Sequence, residues 1–94
     1  MNDYLKIIEN DKNITIGLKK DAEEELGEVK FVDFLTNNGD VKKGETFASI
    51  EAKKAVIELE APFSGAITSV NTEVEDKPET IYEDNTWLIK MVKA

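Results

Sequence analysis

Residues 47–70 read FASIEAKKAVIELEAPFSGAITSV, and the alternation inside this stretch decides the fold. Ala48 and Ile50 share one face of the first run; Ile57 and Leu59 share one face of the second. A period of two on both sides of a polar centre argues two half-buried strands joined as a hairpin. The centre is Ala52-Lys53-Lys54-Ala55, without the Gly or Asn that a two-residue primed turn demands. An ordinary turn is therefore expected, most simply type I, with both lysines in solvent. Pro62 and Gly65 punctuate the next connection, and Gly65 is expected to serve the backbone turn. The resulting picture is a lysine at the apex of a stiff hairpin, held away from the body of the domain.

Working outward, Tyr4–Ile8 and Ile14–Leu18 read as a first hairpin around the turn formers Asn10–Asn13. Lys19–Leu26 has helix formers and stops at Gly27, which suits the left-handed residue after a helix; Asp21 is the expected N-cap. Glu28–Leu35 reads as a strand, but Val29 and Phe31 fall out of phase with Val32 and Phe34, so a bulge or twist is expected. Thr36–Gly44 and Asn71–Asp84 read as loops, Gly65–Val70 as a strand and Trp87–Val92 as the last strand, with Trp87 in the core. About seven short strands and one short helix predict a mainly β, small antiparallel domain of barrel or sandwich type. All 94 residues are expected to form that one domain.

Composition narrows the function. The chain has no cysteine and no histidine, so disulfides, thiolate metal sites and imidazole general bases are excluded. A net charge of −8 argues against nucleic-acid binding and suits docking on basic surfaces of larger enzymes. No apolar run approaches a membrane span, and the N-terminal MNDYLKIIEN lacks the pattern of a secretory signal. A cytoplasmic location is expected. Carboxylates are plentiful but form no recognisable catalytic pattern, so no enzyme activity is expected.

The 47–70 stretch resembles the attachment hairpin of lipoyl and biotinyl carrier domains, in which an acidic residue lies three before the modified lysine and a Pro-x-x-Gly follows it. Glu51 lies three before Lys54, with Pro62 eight and Gly65 eleven residues after it, so Lys54 and not Lys53 matches. Four further motifs resemble the glycine cleavage H-protein family. They are Leu26-Gly27-Glu28-Val29-Lys30-Phe31-Val32, GDVKKGETF at 39–47, SVNTEVEDKP at 69–78 and Trp87-Leu88-Ile89-Lys90-Met91. The lipoyl/biotinyl carrier fold, a barrel-sandwich hybrid, is what this resemblance implies. The family's C-terminal helical extension and its Pro-Tyr-Gly insertion before the closing strand are missing, and the tip reads Glu-Ala-Lys-Lys rather than Glu-Ser-Val-Lys. These departures look most like the short H-like lipoyl carrier proteins.

The resemblance implies a lipoyl carrier, with lipoate held covalently on Lys54 as a swinging arm and Glu51 a candidate for recognition by the ligase. An exposed lysine is almost wholly protonated at neutral pH, so the attaching enzyme must supply the activated acyl group and the domain must present the amine. The implied partners are a lipoate ligase or lipoyl transferase, then either glycine cleavage enzymes or macrodomain and sirtuin-type proteins, and 2-oxoacid dehydrogenase acyltransferase subunits in a lipoyl relay. In the sirtuin-linked version, Glu24 and Glu25 at the end of the short helix are candidate ADP-ribose acceptors; the plainer reading is a solvated acidic face. A biotinyl carrier and an unmodified interaction module are the alternatives from other classes.

Overall fold

The computed structural model describes residues 4–36 and 38–94; Met1–Asp3 and Asn37, the last inside the expected 36–44 loop, lie outside the described residues. The order of elements is β1 (Leu5–Asn10), β2 (Asn13–Leu18), α1 (Ala22–Leu26), β3 (Val29–Phe34), β4 (Gly39–Val41), β5 (Thr46–Ala52), β6 (Val56–Glu60), β7 (Gly65–Val70), α2 (Glu73–Asp76), a 3-10 helix (Pro78–Tyr82) and β8 (Ile89–Lys93). The strands form a five-stranded sheet, β1-β2-β8-β7-β4, and a three-stranded sheet, β3-β5-β6. Every pairing is antiparallel. The mainly β carrier-type architecture is as expected.

Alternation fills the core. Ile14, Ile16, Ile67, Ile89 and Met91 from the larger sheet and Phe47, Ile50 and Leu59 from the smaller are at most 2% exposed and belong to one cluster. Burying each such side chain contributes about 1.5–3 kcal/mol. Among the described residues, no buried side-chain nitrogen or oxygen lacks a hydrogen-bond partner. None of the helices described is long and apolar enough to cross a membrane.

Register shifts correct the simple period in three pairings, one of them β7–β8 between Ile67 and Ser69. The β5–β6 register shifts between Thr46 and Ala48, and Phe47 and Ala48 are consecutively buried as a result. The β3–β5 register shifts between Val29 and Phe31. Lys30 is the extra residue there, so Val29, Val32 and Phe34 point inward while Phe31 is left 63% exposed. This is the bulge that the broken phase of residues 28–35 predicts.

Several local expectations differ from the structure. The 36–44 loop contains β4, which pairs with β7. The 71–84 loop folds into α2 and the 3-10 helix, with Val74, Ile81 and Tyr82 buried. Each is too short to show a helical period, and burial of those side chains rather than propensity holds them. Asp21 precedes α1 but makes no side-chain cap bond. The last strand begins at Ile89, and Trp87 is half-buried outside the core, with Lys90 Nζ 4.8 Å from its ring centroid. Leu88, fully buried, takes the core position expected of Trp87.

Candidate functional site

The β5–β6 hairpin carries Lys53 and Lys54 at its tip, both exposed. The tip bond runs from the Ala52 N–H to the Ala55 carbonyl at 2.8 Å. Neither Lys53 nor Lys54 has a positive φ, so the tip is not one of the primed turns, in line with the absence of Gly and Asn there.

Nor is the tip held away from the body. Backbone donors need acceptors, and the segment between α1 and β3 supplies them. The Lys53 N–H donates to the Glu28 carbonyl at 2.8 Å and the Lys54 N–H to the Leu26 carbonyl at 2.9 Å. These bonds extend the β3–β5 ladder beyond its last pair, Val29 with Ala52. The Lys54 stem lies over Gly27, where a Cβ would come within 3.3 Å of Lys54 Cγ and 3.5 Å of Lys53 Cβ. Gly27 has φ 75° and ψ −163°, a region that only glycine adopts without strain. Lys54 Nζ then reaches the Glu24 carbonyl at 3.0 Å, at the C-terminal end of α1, where a cation is favoured.

The middle carbonyl of this segment is also held. The Tyr82 hydroxyl donates to the Gly27 carbonyl at 2.8 Å. Burial, with the nearby Glu23 charge adding to it, pushes the Tyr82 phenol up to about 12 from its ordinary 10.0. A raised folded-state value favours the protonated form, so this contribution to stability is intact below pH 10 and is lost as pH rises from about 10 toward about 12. Melting curves across that window are expected to show a larger alkaline loss for the wild type than for Tyr82→Phe. Equal losses would mean that the phenol keeps its proton no more tightly in the fold than out of it.

Sequence reasoning placed Lys54 and Glu51 on one hairpin, and the structure does so. Glu51 lies in a cross-strand row between Phe31 and Val56, which are 63% and 69% exposed. Glu24 and Glu25 are exposed on α1, and the Glu25 carboxylate accepts the Tyr4 hydroxyl at 2.9 Å. The Lys54 amine meets the Glu24 backbone rather than its carboxylate. Tyr82 is the site residue that sequence reasoning missed, and nothing in a polar stretch 55 residues from Gly27 marks it. No group of three or more acidic, histidine or cysteine side chains among the described residues is arranged to hold a metal.

The fold of two antiparallel sheets is shared with known proteins. The family model described as glycine cleavage H-protein matches residues 2–94. A Staphylococcus epidermidis glycine cleavage system H protein is 41% identical over 80 residues, covering 82% of this chain and 64% of the relative. Its Thermotoga maritima counterpart is 44% identical over 84 residues, covering 86% and 68%. The crystal structure of a glycine cleavage system H protein from Mycobacterium marinum matches with a TM-score of 0.85 and 30% identity, over 100% of this chain and 81% of that one. This chain belongs to the glycine cleavage H-protein family. The matched stretch spans about two thirds of the length of the sequence relatives, 64% in the first case and 68% in the second.

Proposed function

We propose that this chain is a lipoyl carrier domain of glycine cleavage, with Lys54 as the attachment site, and that it presents its arm to other enzymes without catalysing a reaction itself. The observation that carries this reading is the tip geometry. Of the two exposed lysines at the hairpin apex, Lys54 has its backbone N–H on the Leu26 carbonyl and its stem laid across Gly27. An amine held in one place yet open to solvent is what an acyl-transferring enzyme needs.

The residues present fit the group. Lys54 Nζ would form the amide, and acylation would release its bond to the Glu24 carbonyl. When bound, the lipoyl group supplies a disulfide that takes up electrons or a carbon unit. The chain's own part is to anchor the arm and fix the point from which it swings. Glu51, exposed between Phe31 and Val56, belongs on this reading to the surface that the attaching enzyme grips.

The partners proposed are a lipoate ligase or lipoyl transferase and the glycine cleavage enzymes. The relatives named above are glycine cleavage proteins, and they lend no support to the redox-linked alternative with Glu24 and Glu25 as ADP-ribose acceptors. The same holds for macrodomain or sirtuin-type partners and for relay to 2-oxoacid dehydrogenase acyltransferase subunits.

Intact mass after incubation with lipoate, ATP and a lipoate ligase is the test. One lipoyl addition is expected, and Glu51→Gln is expected to slow it roughly tenfold with little change in melting temperature. Addition of biotin by a biotin ligase, detected with streptavidin, would instead make this a biotinyl carrier. A chain left unmodified by both would be an interaction module.

A further inference from the structure

We infer that Tyr82 is a positioning residue for the acylation of Lys54, an inference that rests on the carrier reading of that lysine. Three consecutive carbonyls connect the two. Those of Leu26 and Glu28 accept the backbone N–H groups of Lys54 and Lys53, and the one between them, on Gly27, accepts the Tyr82 hydroxyl. The segment is thus gripped by the hairpin through its outer carbonyls and by the 3-10 helix through its middle one.

The grip matters because this segment is the bed on which the lysine lies. Gly27 has no Cβ and so the widest backbone freedom of any residue, and its single conformation here depends on bonds from outside the segment. Tyr82 supplies that restraint from a rigid base. Tyr82 is 8% exposed, and its neighbour Ile81 is 1% exposed in the core. The Tyr82 hydroxyl reaches the Gly27 carbonyl, 55 residues earlier in the chain. Removing it would leave a half-buried carbonyl under the lysine short of its donor and free the segment to sample other conformations.

The step affected is simple. Deprotonated Lys54 Nζ forms a C–N bond to the carbonyl carbon of an acyl-adenylate. The bond from that carbon to the phosphate oxygen breaks, AMP leaves with the electron pair, and the amine proton passes to solvent. The enzyme holds the acyl donor, so the domain contributes the placement of the amine. A tip that samples several positions presents the productive one less often, and the rate falls by that fraction.

Tyr82→Phe is expected to lower kcat/KM for lipoylation roughly 3- to 10-fold. It should also speed amide hydrogen exchange at Lys53 and Lys54 while leaving that of Ile50 and Leu59 in step with global stability. Ile81→Val is the comparison, because it weakens the same helix from the core side with the hydroxyl in place. It should lower the melting temperature without selectively exposing the tip amides or slowing acylation to the same degree. Equal slowing by both variants, or unchanged tip exchange in Tyr82→Phe, would reduce Tyr82 to an ordinary packing residue and overturn the inference. Failure of the wild type to be acylated would remove the carrier reading and this inference with it. Unmodified wild type with fast tip exchange in Tyr82→Phe would show the clamp alone.

Discussion

Moving the lysine one place along the chain, in the Lys53→Ala, Lys54→Ala, Ala55→Lys variant, is expected to abolish acylation in a domain that still folds. Lys54 is exposed, with its N–H on the Leu26 carbonyl and its stem over Gly27. Ala55 is half-buried, packs against the core and offers its carbonyl to Ala52. A lysine at 55 stands immediately before β6, and a one-residue step along an extended chain turns a side chain to the other face. Its amine would leave the hairpin in another direction, and a misplacement of that kind costs on the order of 100-fold in rate. The charged head can still reach water along its flexible stem, so little stability should be lost. Mass spectrometry and a melting curve on the same sample check both halves. Efficient acylation of a folded variant would mean that the enzyme accepts any tip lysine, and the presentation argument would fail.

Gly65→Ala is expected to be the most damaging small substitution in the fold. Gly65 starts β7 opposite Lys93 of β8, and a Cβ there would overlap the Val92 carbonyl oxygen and meet Lys93 Cα at 3.0 Å. Both are backbone atoms of a paired strand, so neither can swing aside as a side-chain end would. Overpacking of this kind costs about 3 kcal/mol at the upper end of its usual range. For a chain of this size that corresponds to a fall in melting temperature of roughly 12–24 °C. Thermal unfolding measures it, and a fall of only a few degrees would mean that β8 shifts easily to make room. The glycine eleven residues after Lys54 thus has a reason in the closeness of two strands. The expectation that it serves a turn named the wrong cause.

What was legible in the sequence was local and periodic. Alternation in 47–60 placed the hairpin, and the slip in phase between Phe31 and Val32 announced the bulge at Lys30. The glycine cleavage H-protein resemblance was carried by motifs spread along nearly the whole chain, and it holds. Features without a period were missed. Strand β4 has three residues, and α2 has four, too few for either pattern to declare itself. Trp87 was assigned to the core on hydrophobicity alone, yet an indole also suits a half-buried position with a lysine over its face. The bed beneath Lys54 was invisible for a different reason. It joins residues near 26, 54 and 82, and only the folded chain brings them together.

Peptide mass mapping of the enzymatically lipoylated protein tests the central claim most directly. Lys53 and Lys54 are adjacent, both exposed, and both tied to the same segment through their backbone N–H groups. They differ in where their stems lie, since it is Lys54 whose chain crosses Gly27 to the end of α1. The account predicts the acyl group on Lys54 and an unmodified Lys53. An acyl group on Lys53, or divided between the two, would contradict it.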